Sequence, residues 1–271
     1  EIHKYDYNGY PYENIDLNGS YNGMRYDGTA GIDDPNGHLH MDGIIDLENK
    51  QPSFHFRAMG ENIKPGKLKL SPKYPDSELS FIINADIHGD HPDNAEGTLS
   101  LDSLEFINNG ERFFMKQFAI NAHNEGVPQW ITVHSDFFNG EVRGKYSFTT
   151  LKQSHSEILS SVIPSIIQPD HKTIDHQNDF NFQFNLSGTE NISRIFELPV
   201  SFPDGAVLEG FYNDEKQQFR VVSSSPKFNL KKTQLNNMQF FVEKNNFGIN
   251  LSTNITHTNK KKKMITWSVN A

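Results

Sequence analysis

The chain has no cysteine, which excludes disulfides, thiolate nucleophiles and cysteine-ligated zinc. That absence does not fix a redox compartment, because a protein in an oxidising space that needs no staple looks the same. No apolar run approaches the ~18–20 residues that a membrane-crossing helix needs. Basic charge is scarce: 25 Lys and Arg against 34 Asp and Glu give a formal net charge of −9. Nucleic-acid affinity rests mainly on phosphate neutralisation, so this balance argues against a nucleic-acid partner. The motifs of reaction chemistry are missing too: there is no Gly-x-Ser-x-Gly elbow, phosphate loop or dinucleotide fingerprint. At 271 residues the chain is long enough to bury a substantial core without help from metals.

What is present is phenylalanine and alternation. Hydrophobic residues make up only 35% of the chain, yet 21 are Phe, a type suited to a pleated, half-buried surface. In ELSFIINADIHG, Leu79, Phe81, Ile83, Ala85 and Ile87 share one face. In DFNFQFNLSG, Phe180, Phe182, Phe184 and Leu186 alternate with Asn181, Gln183 and Asn185. Leu39, Met41, Ile45 and Leu47 oppose His38, His40, Asp42 and Asp46, and the late run FGINLSTNI groups Phe247, Ile249 and Leu251. A period of two means antiparallel strands with one wet and one apolar face.

Punctuation supports strands joined by tight turns. Asn-Gly begins at Asn8, Asn18, Asn22, Asn36, Asn109 and Asn139, and Asp-Gly at Asp27, Asp42 and Asp204; both dipeptides favour the positive φ of hairpin turns. Asp34-Pro35-Asn36-Gly37 is the clearest turn, and a reversal is expected at Asn139-Gly140. Gly43, inside an alternating run, suits a bulge or close approach instead. Residues 1–11 read as an irregular or edge segment. Helix signals are few: Ser154–Ile163 places Ile158, Leu159, Val162 and Ile163 on one side before Pro164, and Asn191–Phe196 is a shorter candidate. The expectation is one elongated unit over 1–271, with strand sets at 12–150 and 180–271 joined by a short helix and polar loop at 152–179. The chain opens in mid-pattern and closes on the strand-like MITWSVNA, which reads as a segment of a longer protein.

Candidate chemistry is thin. His38-x-His40 with Asp42 offers metal-ligand types on one strand face, but as solvated partners of Leu39 and Met41 they need no ion. His88-Gly89-Asp90-His91 is better explained as turn chemistry. Asp33-Asp34 lacks the later ligands of a calcium loop. Lys260–Lys263 could meet an anionic lipid surface, although a solvated hairpin turn accounts for it. The remaining resource is the apolar face, which must be buried against a second sheet, folded on itself or covered by something else.

Three stretches carry a resemblance: NGSYNGMRYDGTAGIDDPNGHLHMDGIIDLE, WITVHSDFFNGEVRGKYSFTTLKQSHSEILSSVIP, and NLSGTENISRIFELPVSFPDGAVLEGFYND with QFRVVSSSPKFNLKKTQLNNMQFF. Their order and spacing, over most of Asn14–Phe241, resemble a segment of the TamB family, the AsmA-related translocation and assembly module proteins, of the Bacteroidetes variety. The resemblance implies an all-β fold, a long twisted antiparallel sheet curled into a β-taco or groove with an apolar interior, plus one or two short helices. It implies a periplasmic segment of an inner-membrane-anchored protein, without enzymatic activity; no cofactor and no metal are expected. Expected partners are phospholipid acyl chains and, through the full-length chain, an outer-membrane barrel protein. Expected groove lining is Leu79, Phe81, Ile83, Ile131, Val133, Phe180, Phe182 and Phe184. Exposed strand edges would favour self-association. The competing class is a secreted β-sandwich binding glycan or protein through loops, with Trp130, Tyr146 or Tyr212 as an exposed platform. A β-rich hydrolase would need carboxylates converging in a cleft.

Overall fold

Alternating sequence becomes antiparallel strands that pair largely with their chain neighbours. The computed structural model describes residues 1–126, 128–151, 154, 178–231, 233–258 and 264–270. Contacts divide the chain into two compact units, one of residues 1–122 with 134–136, the other of 123–133 with 137–271. The fold is all-β, and in neither unit do the described pairings close into a barrel.

The first unit is a meander of β1 (Ile2–Tyr7), β2 (Tyr10–Asn22), β3 (Arg25–Asp34), β4 (Gly37–Asp46), β5 (Ser53–Ile63), β6 (Glu78–His88) and β7 (Glu96–Asn108). On β7, the strand β8 (Glu111–Met115) and residues 118–122 of β9 (Phe118–His123) pair with successive halves. Cross-strand partners share a face, so the register defines apolar rows. One runs Leu17, Ala30, Met41, Ala58, Ile83, Leu101, Phe118. At one end of this face Phe106 and Phe113 are buried, and Tyr74, from the 64–77 loop, meets Phe106 edge-on at 5.4 Å. The opposite face carries polar pairs such as Arg57 Nη1 to Asn84 Oδ1, 2.9 Å.

The second unit contains residues 130–133 of β10 (Trp130–Ser135), then β11 (Phe138–Lys145), β12 (Asp179–Leu186), α1 (Glu190–Ile195) and β13 (Val200–Ser201). It continues with β14 (Ala206–Asn213), β15 (Gln218–Leu230), β16 (Thr233–Asn245), β17 (Gly248–Thr258) and β18 (Met264–Asn270). The ladder runs β11–β12–β14–β15–β16–β17–β18, and β13 pairs with the far end of β15.

The two strand sets expected on either side of 152–179 meet in one ladder. Lys145 and Asp179 are direct cross-strand partners, so the strands on either side of that stretch pair with each other. The helix expected at Ser154–Ile163 lies, beyond Ser154, outside the described residues, as does Lys260–Lys263. The helical candidate at Asn191–Phe196 corresponds to α1. Residues 1–11 are more regular than expected: β1 and β2 form a hairpin through Asn8 (φ +52°) and Gly9 (φ +72°), with β1 exposed throughout.

The turn code is half right. Asn36, Asn109-Gly110 and Asp204 sit in turns, and Gly43 lies inside β4 at the close approach expected of it, but Asn18-Gly19, Asp27-Gly28 and Asn139-Gly140 lie inside strands as well. Their glycines face the apolar side, where a neighbour comes too close for a Cβ. At Gly43 that atom would stand 2.5 Å from Phe56 Cα. Phe247, expected on an apolar face, is fully exposed at the β16–β17 turn.

The Asp34-Pro35-Asn36-Gly37 turn is locked from within. Asp34, 1% exposed, accepts from Tyr10 Oη (2.6 Å), the Asn36 backbone N–H (2.8 Å) and the Glu13 backbone N–H (3.1 Å). Burial, then the bond to Asp34, push the Tyr10 phenol above its ordinary value.

Candidate functional site

The candidate site is the apolar face of the second unit. Register places Val142, Phe182, Gly210, Val221, Val242 and Leu251 in one cross-strand row. The row beside it holds Gly144, Phe180, Tyr212 and Phe219, and the row on the other side Gly140, Phe184 and Leu208. Glycine and aromatic residues alternate across this floor. Phe184 stands opposite Gly140, Phe182 opposite Gly210 and Phe180 opposite Gly144. Each ring therefore lies where its neighbour has no side chain, an arrangement that shields the glycine backbone and beds the ring flat. A Cβ added to Gly140 would meet Phe184, and one added to Gly210 would come within 2.7 Å of Phe182 Cζ.

The rings form a connected series. Phe184 stacks on Phe182 at 6.0 Å, Phe182 lies 6.2 Å from Phe180, Phe180 stacks on Tyr212 at 5.7 Å and Tyr212 on Phe219 at 6.4 Å. All are within the range of favourable aromatic pairs. Val142, Tyr146, Phe180, Tyr212 and Phe219 are buried; Ile131, Leu151, Phe182, Phe184, Val221 and Val242 pack against them half-buried. Above this floor is an open cavity of ≈ 520 Å³. Its wall is a helical turn at 148–151 that presents Phe148 and Leu151.

A buried polar knot fixes where that turn stands. Asn178 Oδ1 accepts the Ser147 N–H at 2.8 Å, while its Nδ2 donates to Thr150 Oγ1 at 3.1 Å and to Asp214 Oδ2 at 2.9 Å. Asp214, 1% exposed, also accepts the Asn178 backbone N–H and Ser154 Oγ. The knot joins the start of the excursion at Ser147, its return at Asn178 and the end of β14.

Among the described residues the lining is aliphatic and aromatic, and the Tyr212 phenol is its one polar side chain; no carboxylate, imidazole, ammonium or guanidinium group lines the cavity. The other face of the same strands is polar. There Glu141, Arg143, Asn181, Gln183, Glu209 and Arg220, with Phe211 and Val222, line a smaller space of ≈ 440 Å³. Arg143 pairs with Glu141, and the Arg220 guanidinium lies 5.5 Å from the Phe241 ring. Asp46, in the first unit, is held below its ordinary value chiefly by the Glu48 backbone N–H and further by Arg25, against the opposing effect of burial.

The eight expected lining residues are divided between the units. Phe180, Phe182, Phe184 and Ile131 belong to the cluster beside the cavity. Val133 is half-buried on β10 but outside that cluster. Leu79, Phe81 and Ile83 are on the apolar face of the first unit, half-buried opposite Ile63, Gly60 and Ala58. Sequence reasoning missed Val142, Tyr212, Phe219 and Val221. Their alternation is blurred because Gly210 sits on the apolar face while Val207, Phe211 and Val222 sit on the other. The aromatic platform of the competing reading is corrected: Tyr146 and Tyr212 are 4% and 5% exposed, and Trp130 is half-buried beside His123. His38, His40 and Asp42 are exposed on the wet face, with His38 Nδ1 2.5 Å from Asp33 Oδ1. In the loop after β6, Asp90, His91 and Asn94 bond to one another, as turn residues do. No family model matches the chain, and no curated protein or solved structure matches it.

Proposed function

We propose that the second unit's aromatic floor is a seat for a lipid acyl chain, and that the chain is a non-enzymatic, periplasmic lipid-transfer segment of the TamB and AsmA-like kind. In the full protein it would pass lipid between inner and outer membranes and support outer-membrane protein assembly with a barrel partner. The observation that carries this reading is the open ≈ 520 Å³ cavity floored by Phe180, Phe182 and Phe184, with no acidic, basic or histidine side chain among its described lining residues. Its volume falls in the range of small-molecule sites, about 300–1,000 Å³. Seating about ten methylenes at ~0.8 kcal/mol each would contribute about 8 kcal/mol before ordering costs. Such contacts are non-directional, so a chain held this way can slide. The glycan-binding alternative loses support because its platform rings, Tyr146 and Tyr212, are buried.

The test is native mass spectrometry and lipid extraction of the purified protein, beside the double variant Phe182→Asp/Phe184→Asp and a wet-face control, Gln183→Asp. Phospholipid should accompany the wild type and the control and fall at least roughly tenfold in the double variant. Absence of lipid from the wild type, or undiminished lipid in a folded double variant, refutes the proposal.

A further inference from the structure

On the wet face of the first unit, β5 and β6 bring together three side chains that are far apart in sequence. His55 stands directly opposite Asp86, and His88 follows two residues along β6, on the same face. One donor atom from each, an imidazole nitrogen from either histidine and a carboxylate oxygen from Asp86, lie within 4.8 Å of one another. His55 Nδ1 is 2.7 Å from Asp86 Oδ1. That bond accounts for two members but not for the third. The His88 ring sits beside the His55 ring at 5.0 Å, with the planes at 70°.

The frame holding them is stiff. The β5–β6 ladder is in unbroken register from Ser53 to Gly60, and just beyond His88 the Gly89 N–H donates to the Pro52 carbonyl at 2.8 Å. A four-coordinate zinc with ligands at ~2.0–2.1 Å requires donors about 3.4 Å apart. The three donor atoms lie within 4.8 Å of one another, so coordination requires them to draw closer. Two imidazoles and one carboxylate suit a borderline divalent transition ion; calcium and magnesium prefer all-oxygen sets.

We propose that His55, Asp86 and His88 form a three-ligand site for Zn²⁺ or a similar divalent transition ion, which pins β5 to β6 and leaves one coordination position open to water or a further ligand. The site is independent of the acyl seat. It lies in the other unit and on the polar face.

Isothermal titration of chelator-treated full chain with ZnCl₂ tests it, with Co²⁺ absorption as a direct report of ligand geometry. One saturable site with Kd on the order of 10 µM or tighter is expected. His55→Ala and His88→Ala should each weaken it at least roughly tenfold, with circular dichroism unchanged. His91→Ala, three residues further on, should leave the affinity within about twofold, and Mg²⁺ should not compete. Zinc binding of equal affinity in His88→Ala, or no saturable binding in the wild type, overturns the proposal.

Discussion

Adding one methyl group at Gly140 tests whether the aromatic floor depends on its glycines. Gly140 lies within β11 opposite Phe184, and the three heavy atoms nearest to a Cβ built there all belong to the Phe184 ring. Two effects compete. Replacing Gly by Ala narrows the unfolded ensemble and by itself stabilises by about 0.4–1 kcal/mol. Forcing the Phe184 ring out of its bed is an overpacking change of about 1–3 kcal/mol. The clash should win, with a net loss of about 1–2 kcal/mol in Gly140→Ala. At a urea m-value of ~2 kcal/mol/M that lowers the midpoint by about 0.5–1 M. Tryptophan fluorescence is a suitable probe, because Trp130 and Trp267, the only two tryptophans, both belong to the second unit. The decisive step is a double-mutant cycle with Phe184→Ala. With the ring removed, Gly140→Ala should become neutral or stabilising. An equal penalty in both backgrounds would show that Phe184 does not rest on Gly140, and the account of the floor would fail.

Two further perturbations probe the parts that hold these surfaces in place. Asp214→Ala leaves the Asn178 backbone N–H and Ser154 Oγ without their buried acceptor; a loss of about 2–5 kcal/mol in second-unit stability is expected, and an unchanged urea midpoint would contradict the knot's role. Asp46 has a depressed folded-state pKa, so its stabilisation is present above the unfolded carboxylate value of about 3.9 and is lost as pH falls through the folded value. Asp46→Asn should therefore be less stable than wild type at neutral pH, and the gap should close on acidification to about pH 2. A gap that stays constant with pH would exclude the ionised carboxylate as its source.

Much of the strand pattern was legible because alternation is a local property. The runs at Leu79–Ile87 and Phe180–Leu186 appear as β6 and β12 with the expected faces, since one strand side must meet water and the other must not. Glycine misled where its role was non-local. Asn139-Gly140 has the composition of a turn, but the opposing Phe184 is 44 positions away, and only pairing reveals that Gly140 is there to admit a ring. The same blindness hid Tyr212 and Phe219, whose strands carry apolar residues on both parities. It also hid His55 beside Asp86, which are 31 residues apart.

By itself, then, the sequence determined the class: cysteine-free, acidic, strand-built, with a wet and an apolar side and no local catalytic motif. These follow from composition and from a period of two, which each short stretch expresses without its neighbours. The tertiary structure decided where that apolar side borders an open cavity and which strands line it. It divided the expected lining between two units and buried the tyrosines that would have made a platform. Register is the physical reason. Ladder partners are chosen by pairing between distant segments, and a shift of one residue would send every Phe of β12 to the opposite face.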